Sequence, residues 1–159
     1  MRLVAAYLRP EPRVRLGLML SRNRAASSCI DLSDGLGDGL HRLADASGVG
    51  VAIDAGAVPV DADARAWFTA RQQDPLHETF AAGDDYELLF TVRPRTRRRL
   101  ADAAHHAGVP LTRIGQCTAD RGVVVRRGND VTAVPAGYSH FRSAEASRSN
   151  EAGAPRSDE

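Results

Sequence analysis

Residues 27–54 change hydrophobic period twice, and that change limits the classes of fold open to the chain. Ser27 to Leu32 (SSCIDL) reads as a buried strand. Leu36, Leu40, Leu43 and Ala44 then recur at helical spacing, with Gly48 supplying the stop. Val49 to Asp54 (VGVAID) is a second strand, so the domain opens with a β-α-β order. Further pieces repeat the alternation. A helix is expected over about 12–22, seeded by Pro10 and Pro12, with Val14, Leu16, Leu18 and Met19 as a partial apolar face. Others are expected over 61–73, from Asp74-Pro75 to Gly83, and from Thr96 to His106. Tyr86–Val92 and Leu111–Cys117 read as strands, and Val123–Arg126 and Val131–Val134 bracket a Gly128-Asn129 hairpin turn. The expected fold is α/β (α+β): a two-layer sandwich in which helices cover one face of a mixed sheet. The expected division is a lead-in helix in 1–24, one domain over 25–141 and a disordered tail over 142–159, where apolar periodicity is lost.

Composition narrows the chemistry. Aromatic residues are only 5% of the chain, so the core has to be aliphatic. A formal net charge of +1 gives no electrostatic case for nucleic acid or a membrane surface. All 21 basic residues are arginine, which excludes a lysine nucleophile, a Schiff base and a P-loop lysine. Cys29 and Cys117 sit in apolar stretches without CxxC spacing, and read as free buried thiols of a soluble, cytoplasmic protein. The apolar run near the N-terminus is broken by Arg9 and Pro10, too short for a signal-peptide core or a bilayer span.

The stretch CIDLSDGL carries the first candidate site. Ser33 and Asp34 alone read as an N-cap and a first-turn acid. Asp31 does not, because it closes an apolar strand, where a carboxylate is costly without a partner. Two residues apart in extended chain, Asp31 and Ser33 would point to one side, beside free N–H groups at a helix start. Carboxylates there suit a hard cation such as Mg2+, and the N–H groups suit phosphate oxygens. AGDDYELLF is the second constellation: Asp84 and Asp85 enter a strand after Gly83, as sheet-edge acids or as solvated turn residues. Glu87 in that strand either faces solvent or pairs with an arginine. The third, GYSHF, either pins the chain end to the core or lines a pocket for a flat heterocycle. The glycines at 35, 37 and 39 lack dinucleotide-fingerprint spacing, the histidines form no metal motif, and Arg97–Arg99 read as a solvated helix face.

Six segments in series, LRPEPRVRLG, CIDLSDGL, ASGVGVAID, AGDDYELLF, GVPLTRIGQ and GYSHF, resemble the C-terminal half of the thiamine-monophosphate kinases, over roughly residues 5–141. The resemblance implies an AIR synthase-like C-terminal domain and Mg2+-dependent phosphorylation of thiamine monophosphate by ATP, giving thiamine diphosphate. It places Asp31 and Asp34 on Mg2+ ligands, Ser33 on an ATP contact, Asp84 on a substrate contact, and Tyr138 or Phe141 near the thiamine. Asp84 stands where the family usually has Glu, and Ser139 where it usually has Asp. The family's N-terminal domain, which carries further metal-binding aspartates and the main homodimer interface, has no counterpart in the sequence given. The expected function is therefore the C-terminal part of such a kinase, with negligible activity alone. The alternatives are a non-catalytic module binding a nucleotide or thiamine phosphate, and a sister enzyme acting on a purine precursor.

Overall fold

A computed structural model describes residues 2–135. Two helices lead in, α1 (Arg2–Leu8) and α2 (Val14–Arg22), followed by β1 (Ser28–Asp31), α3 (Leu36–Ser47) and β2 (Gly50–Asp54). After them come α4 (Ala62–Thr69), α5 (Pro75–Ala81), β3 (Leu88–Thr91), a 3-10 turn (Pro94–Thr96) and α6 (Arg97–Ala107). The strands β4 (Gly115–Thr118), β5 (Val123–Arg127) and β6 (Asp130–Ala133) complete the fold. Local chemistry sets several boundaries. Asp74 caps α5 by accepting from the Leu76 N–H, with Pro75 at the first helical position. Gly48 ends α3 in the left-handed conformation.

The α/β class and a mixed sheet are as expected, but the strands divide between two sheets rather than one. Strands β1 and β3 form an antiparallel ribbon, and the other four lie in the order β4-β2-β5-β6. In the larger sheet β2 is parallel to β5 and antiparallel to β4, while β5 and β6 make the expected hairpin. The β-α-β order at the start is therefore not a crossover within one sheet. Helix α3 lies against both sheets, so the strand that follows it joins the second sheet.

Two apolar cores result. One gathers Leu36, Leu40 and Ala44 of α3, Val51 and Ile53 of β2, Leu76 and Phe80 of α5, and Val123 of β5. The other joins Leu16 and Leu20 of α2 to Ala103 and Ala107 of α6, with Leu88 and Phe90 of β3 packed on it. On α2 the buried face is thus Leu16 and Leu20, whereas Val14 and Leu18 point to solvent. Both cysteines are exposed, against expectation. Cys29 alternates with Ser28 and Ile30 along β1, which puts it on the more open side of a four-residue strand. No helix among the described residues is long and apolar enough to cross a membrane.

Leu40, 2% exposed in the middle of α3, ties this arrangement together. Leu40→Ala is expected to lower unfolding free energy by about 2–5 kcal/mol, read as a fall in the urea midpoint without a change in slope.

Candidate functional site

The two acidic motifs meet because the β1–β3 ladder continues past its strands. Asp31, the last residue of β1, stands opposite Leu88, the first of β3. Beyond that pair the Leu32 N–H donates to the Glu87 carbonyl at 2.9 Å, and the Tyr86 N–H to the Leu32 carbonyl at 3.1 Å. The Asp84 N–H then donates to the Ser33 carbonyl at 2.8 Å. Residues 31–34 and 84–88 therefore run side by side. Two glycines permit this. Gly35 has φ of 93°, and a Cβ there would lie 1.9 Å from the Ala82 carbonyl oxygen. A Cβ on Gly83 would lie 2.8 Å from the Ser33 carbonyl oxygen.

Gly35 also corrects the cap expected at Ser33. It occupies the N-cap position, no side chain caps α3, and the acid of the first turn is Asp38. The positive φ turns the chain before the helix begins, leaving Ser33 and Asp34 in the bend between β1 and α3. Gly83 likewise does not end α5, whose C-cap is Ala82. Strand alternation ends at Asp31, so it does not govern Ser33.

Asp84 and Tyr86 both adopt left-handed backbone, at φ of 68° and 51°. For residues bearing a Cβ, that conformation costs on the order of 1–3 kcal/mol each. The loop is held from one end by Arg13, which grips Glu87 in a fork. Arg13 Nε donates to Glu87 Oε1 and Oε2 at 3.1 and 3.0 Å, and Nη2 donates to Oε1 at 2.7 Å. These bonds raise the already high pKa of the guanidinium. The question left open by Glu87 is answered by an arginine 74 residues away.

The acids of the site differ in their partners. Arg42 spans two of them, with Nε 2.5 Å from Asp38 Oδ2 and Nη2 3.4 Å from Asp34 Oδ2. Asp31 is exposed, and its carboxylate makes no hydrogen bond or ion pair with the described residues. Asp84 Oδ1 accepts from the Tyr86 hydroxyl at 3.4 Å. Asp85 keeps solvent-exposed surface yet is crowded by protein; desolvation, then the charges of Glu87 and Asp84, push its carboxyl up to about 6. The Cys29 thiol is also raised, by desolvation and then by the charge of Asp31, which makes it a poor nucleophile at neutral pH.

Asp31, Ser33, Asp34 and Asp84 are thus brought to one edge of the ribbon. Tyr138 and Phe141, together with Ser139, lie outside the described residues. Arg13 and Arg42 were not anticipated, and Asp85 was read only as one of a pair of sheet-edge or solvated turn acids. Only Arg42 carries a local signal, its i,i+4 spacing from Asp38. Among the described residues no group of three or more His, Cys, Asp or Glu converges on a metal position. The donor chemistry at Asp31 and Asp34 nonetheless fits Mg2+, which takes one or two carboxylates and fills its other positions with water and phosphate oxygens. An open groove between Arg97, Leu100, His105 and Leu111 shares none of these side chains.

Comparison with known proteins gives a consistent result. Residues 4–128 match the family described as AIR synthase related protein, C-terminal domain. The chain is 42% identical over 141 residues to the thiamine-monophosphate kinase of Escherichia coli, covering 87% of this chain and 42% of that protein. It is similar in structure to the thiamine-monophosphate kinase of Stenotrophomonas maltophilia, with a TM-score of 0.69 and 37% identity, over 78% of this chain and 38% of that one. A TM-score of 0.69 is also found with AaThiL complexed with AMPPCP and TMP, at 25% identity over 88% of this chain and 41% of that one. The chain therefore spans less than half the length of the curated relatives it matches.

Gly35→Ala is expected to cost at least about 1–3 kcal/mol, from the forced φ alone, before the clash with Ala82 is counted. Gly56→Ala, whose new Cβ would meet Asp54 Oδ1 at an ordinary 3.5 Å, should change little in the same denaturation series. The Asp85 carboxyl, raised from 3.8 to about 6, binds its proton more tightly in the folded chain than in the unfolded one. Stability should therefore fall as pH rises from about 4 through 6. Asp85→Asn is expected to flatten that part of the stability–pH curve, with its gain appearing at neutral pH and vanishing in acid.

Proposed function

The chain belongs to the family of AIR synthase related protein C-terminal domains, and on that premise we propose that it serves as the C-terminal part of a thiamine-monophosphate kinase. The reaction would move the terminal phosphoryl group of ATP to thiamine monophosphate, giving ADP and thiamine diphosphate. The observation that carries this reading is the register of the two motifs. An exposed strand-end carboxylate, a hydroxyl and a further carboxylate lie beside the loop of Asp84, as a site for phosphorylated ligands requires. AMPPCP, an ATP analogue, and TMP are the ligands in the AaThiL complex, which supports ATP and thiamine monophosphate as the substrates.

In this reading Asp31 and Asp34 would hold Mg2+, and Ser33 would contact ATP. Bound there, the cation would neutralise phosphate charge during transfer. Asp31 is already free to take a ligand, whereas Asp34 would first exchange the exposed Arg42 guanidinium, a contact of little net worth in water. Asp84 would meet the substrate from the opposite segment, its position fixed by the bond from its N–H to Ser33. Its side chain is one methylene shorter than the glutamate usual in the family. Tyr138 or Phe141 would lie against the thiamine. Cytoplasmic residence belongs to the same reading.

Two carboxylates without a third ligand among the described residues also favour a second reading, a module that binds the Mg2+–nucleotide without turning it over. Both readings predict saturable, Mg2+-dependent binding of AMPPCP by calorimetry. Asp31→Asn is expected to weaken that binding at least about tenfold, the loss of one charge-assisted contact to the metal. Binding that is unchanged in Asp31→Asn would remove the site from consideration. Turnover of thiamine monophosphate by the chain alone is expected to be negligible, and rapid product formation would refute the incomplete-site view.

A further inference from the structure

Leu36, Leu40 and Leu43 take the buried side of α3, which leaves Asp38 and Arg42 one turn apart on its polar side. Helical side chains lean toward the start of their helix. Arg42 accordingly reaches back past Asp38 to the bend that carries Asp34. Asp45, three residues further along, is exposed and has no bond with Arg42.

The two contacts of Arg42 are unequal. Nε lies 2.5 Å from Asp38 Oδ2, a firm anchor on a side chain only 25% exposed. Nη2 lies 3.4 Å from Asp34 Oδ2, near the outer limit of a hydrogen bond. Nη1 has no partner among the described residues. The guanidinium is thus fixed through Nε, while its Nη1–Nη2 edge, able to fork two phosphate oxygens, is almost unused. Arg13 differs. It is committed to Glu87 and, through Nη1 at 3.2 Å, to Glu11, and its side chain is 23% exposed against 61% for Arg42.

Charge gives that edge of Arg42 a use. A phosphorylated ligand would bring several negative charges to a place already holding Asp31, Asp34 and Asp84, and one divalent cation offsets only part of them. A cation that took Asp34 would break the weaker contact of Arg42 and leave the anchor at Asp38 intact. We infer that Arg42 is a phosphate-binding residue that exchanges partners with the metal. When a divalent cation occupies Asp34, the freed Nη1–Nη2 edge turns to oxygens of the phosphate that the cation carries. With no phosphate present, the same arm competes for Asp34. Arg42 therefore opposes binding of the cation alone and favours binding of the cation together with its phosphate. This rests on the reading of Asp31 and Asp34 as Mg2+ ligands and adds a further residue to that site.

The test uses the whole chain and two titrations whose expected changes have opposite signs. Mn2+, an oxygen-seeking ion of octahedral habit like Mg2+, is titrated alone and followed by the paramagnetic resonance of the free ion. AMPPCP is titrated by calorimetry in saturating Mg2+. Arg42→Gln is expected to bind Mn2+ roughly two- to fivefold more tightly, because an exposed competitor has gone. The same variant should bind AMPPCP about tenfold more weakly, from loss of a charge-assisted fork. Arg95→Gln, at an exposed position with no ion pair among the described residues, should change neither affinity. A rise in both affinities would make Arg42 a competitor and nothing more, and would overturn the inference. Unchanged AMPPCP binding, or a fall in both affinities, overturns it equally. Binding that Asp31→Asn weakens and Arg42→Gln leaves alone would keep the metal reading and remove only Arg42. A parent chain that binds neither Mn2+ nor AMPPCP would remove both.

Discussion

The backbone register between residues 31–34 and 84–88 is the constraint on which the candidate site depends. Three hydrogen bonds beyond the β1–β3 ladder hold two acidic segments at main-chain distance, although about fifty residues and four further elements separate them in sequence. Gly35 and Gly83 make the approach sterically possible. The left-handed residues Asp84 and Tyr86 are a consequence of it, because the loop has to pass close to the bend without losing its partners. Strain of this kind persists only where surrounding contacts over-determine the conformation. Here those contacts are the three backbone bonds on one side and the Arg13 fork on the other.

Charge explains why the loop needs a clamp. Asp84, Asp85 and Glu87 fall within four consecutive positions, and their repulsion adds to desolvation, the larger cause, in raising the pKa of Asp85. Neutralising Glu87 from outside the segment relieves part of it. Arg13 is suited to this because its planar fork meets a carboxylate on both oxygens, which a point-charge ammonium does not. The all-arginine basic complement of the chain has a structural use at this position.

Much of the fold was legible in sequence because its cues are local. Periodicity located α3, Gly48 ended it, Asp74-Pro75 opened α5, and Gly128-Asn129 turned the last hairpin. What sequence could not supply was pairing. Nothing in SSCIDL says whether the strand pairs with VGVAID or with LLFT, and the choice of LLFT split the sheet and opened Cys29 to solvent. The site follows the same division. CIDLSDGL and AGDDYELLF stood out because acids interrupt apolar runs, whereas the Arg13–Glu87 pair spans 74 residues and has no local trace. Ser33 was misread as a cap because a serine before an apolar helix is normally one, and only the φ of Gly35 shows the helix starting later.

That later start bears directly on chemistry. A serine engaged in capping would have its hydroxyl oxygen turned toward the N–H groups of the first turn, and an aspartate after it would be drawn to the helix dipole. Freed from both duties, Ser33 and Asp34 stand in a bend shaped by glycine, with only the exposed Arg42 competing for Asp34. Asp31 has no competitor among the described residues. The cost of leaving these groups unsatisfied is low because they lie at an open edge in water rather than in a core. It would rise once another protein surface excluded that water, unless a cation or phosphorylated ligand entered with it. An edge that is inexpensive when open and would require a ligand when closed accords with the proposed reading of these residues as one side of a site for a phosphorylated ligand.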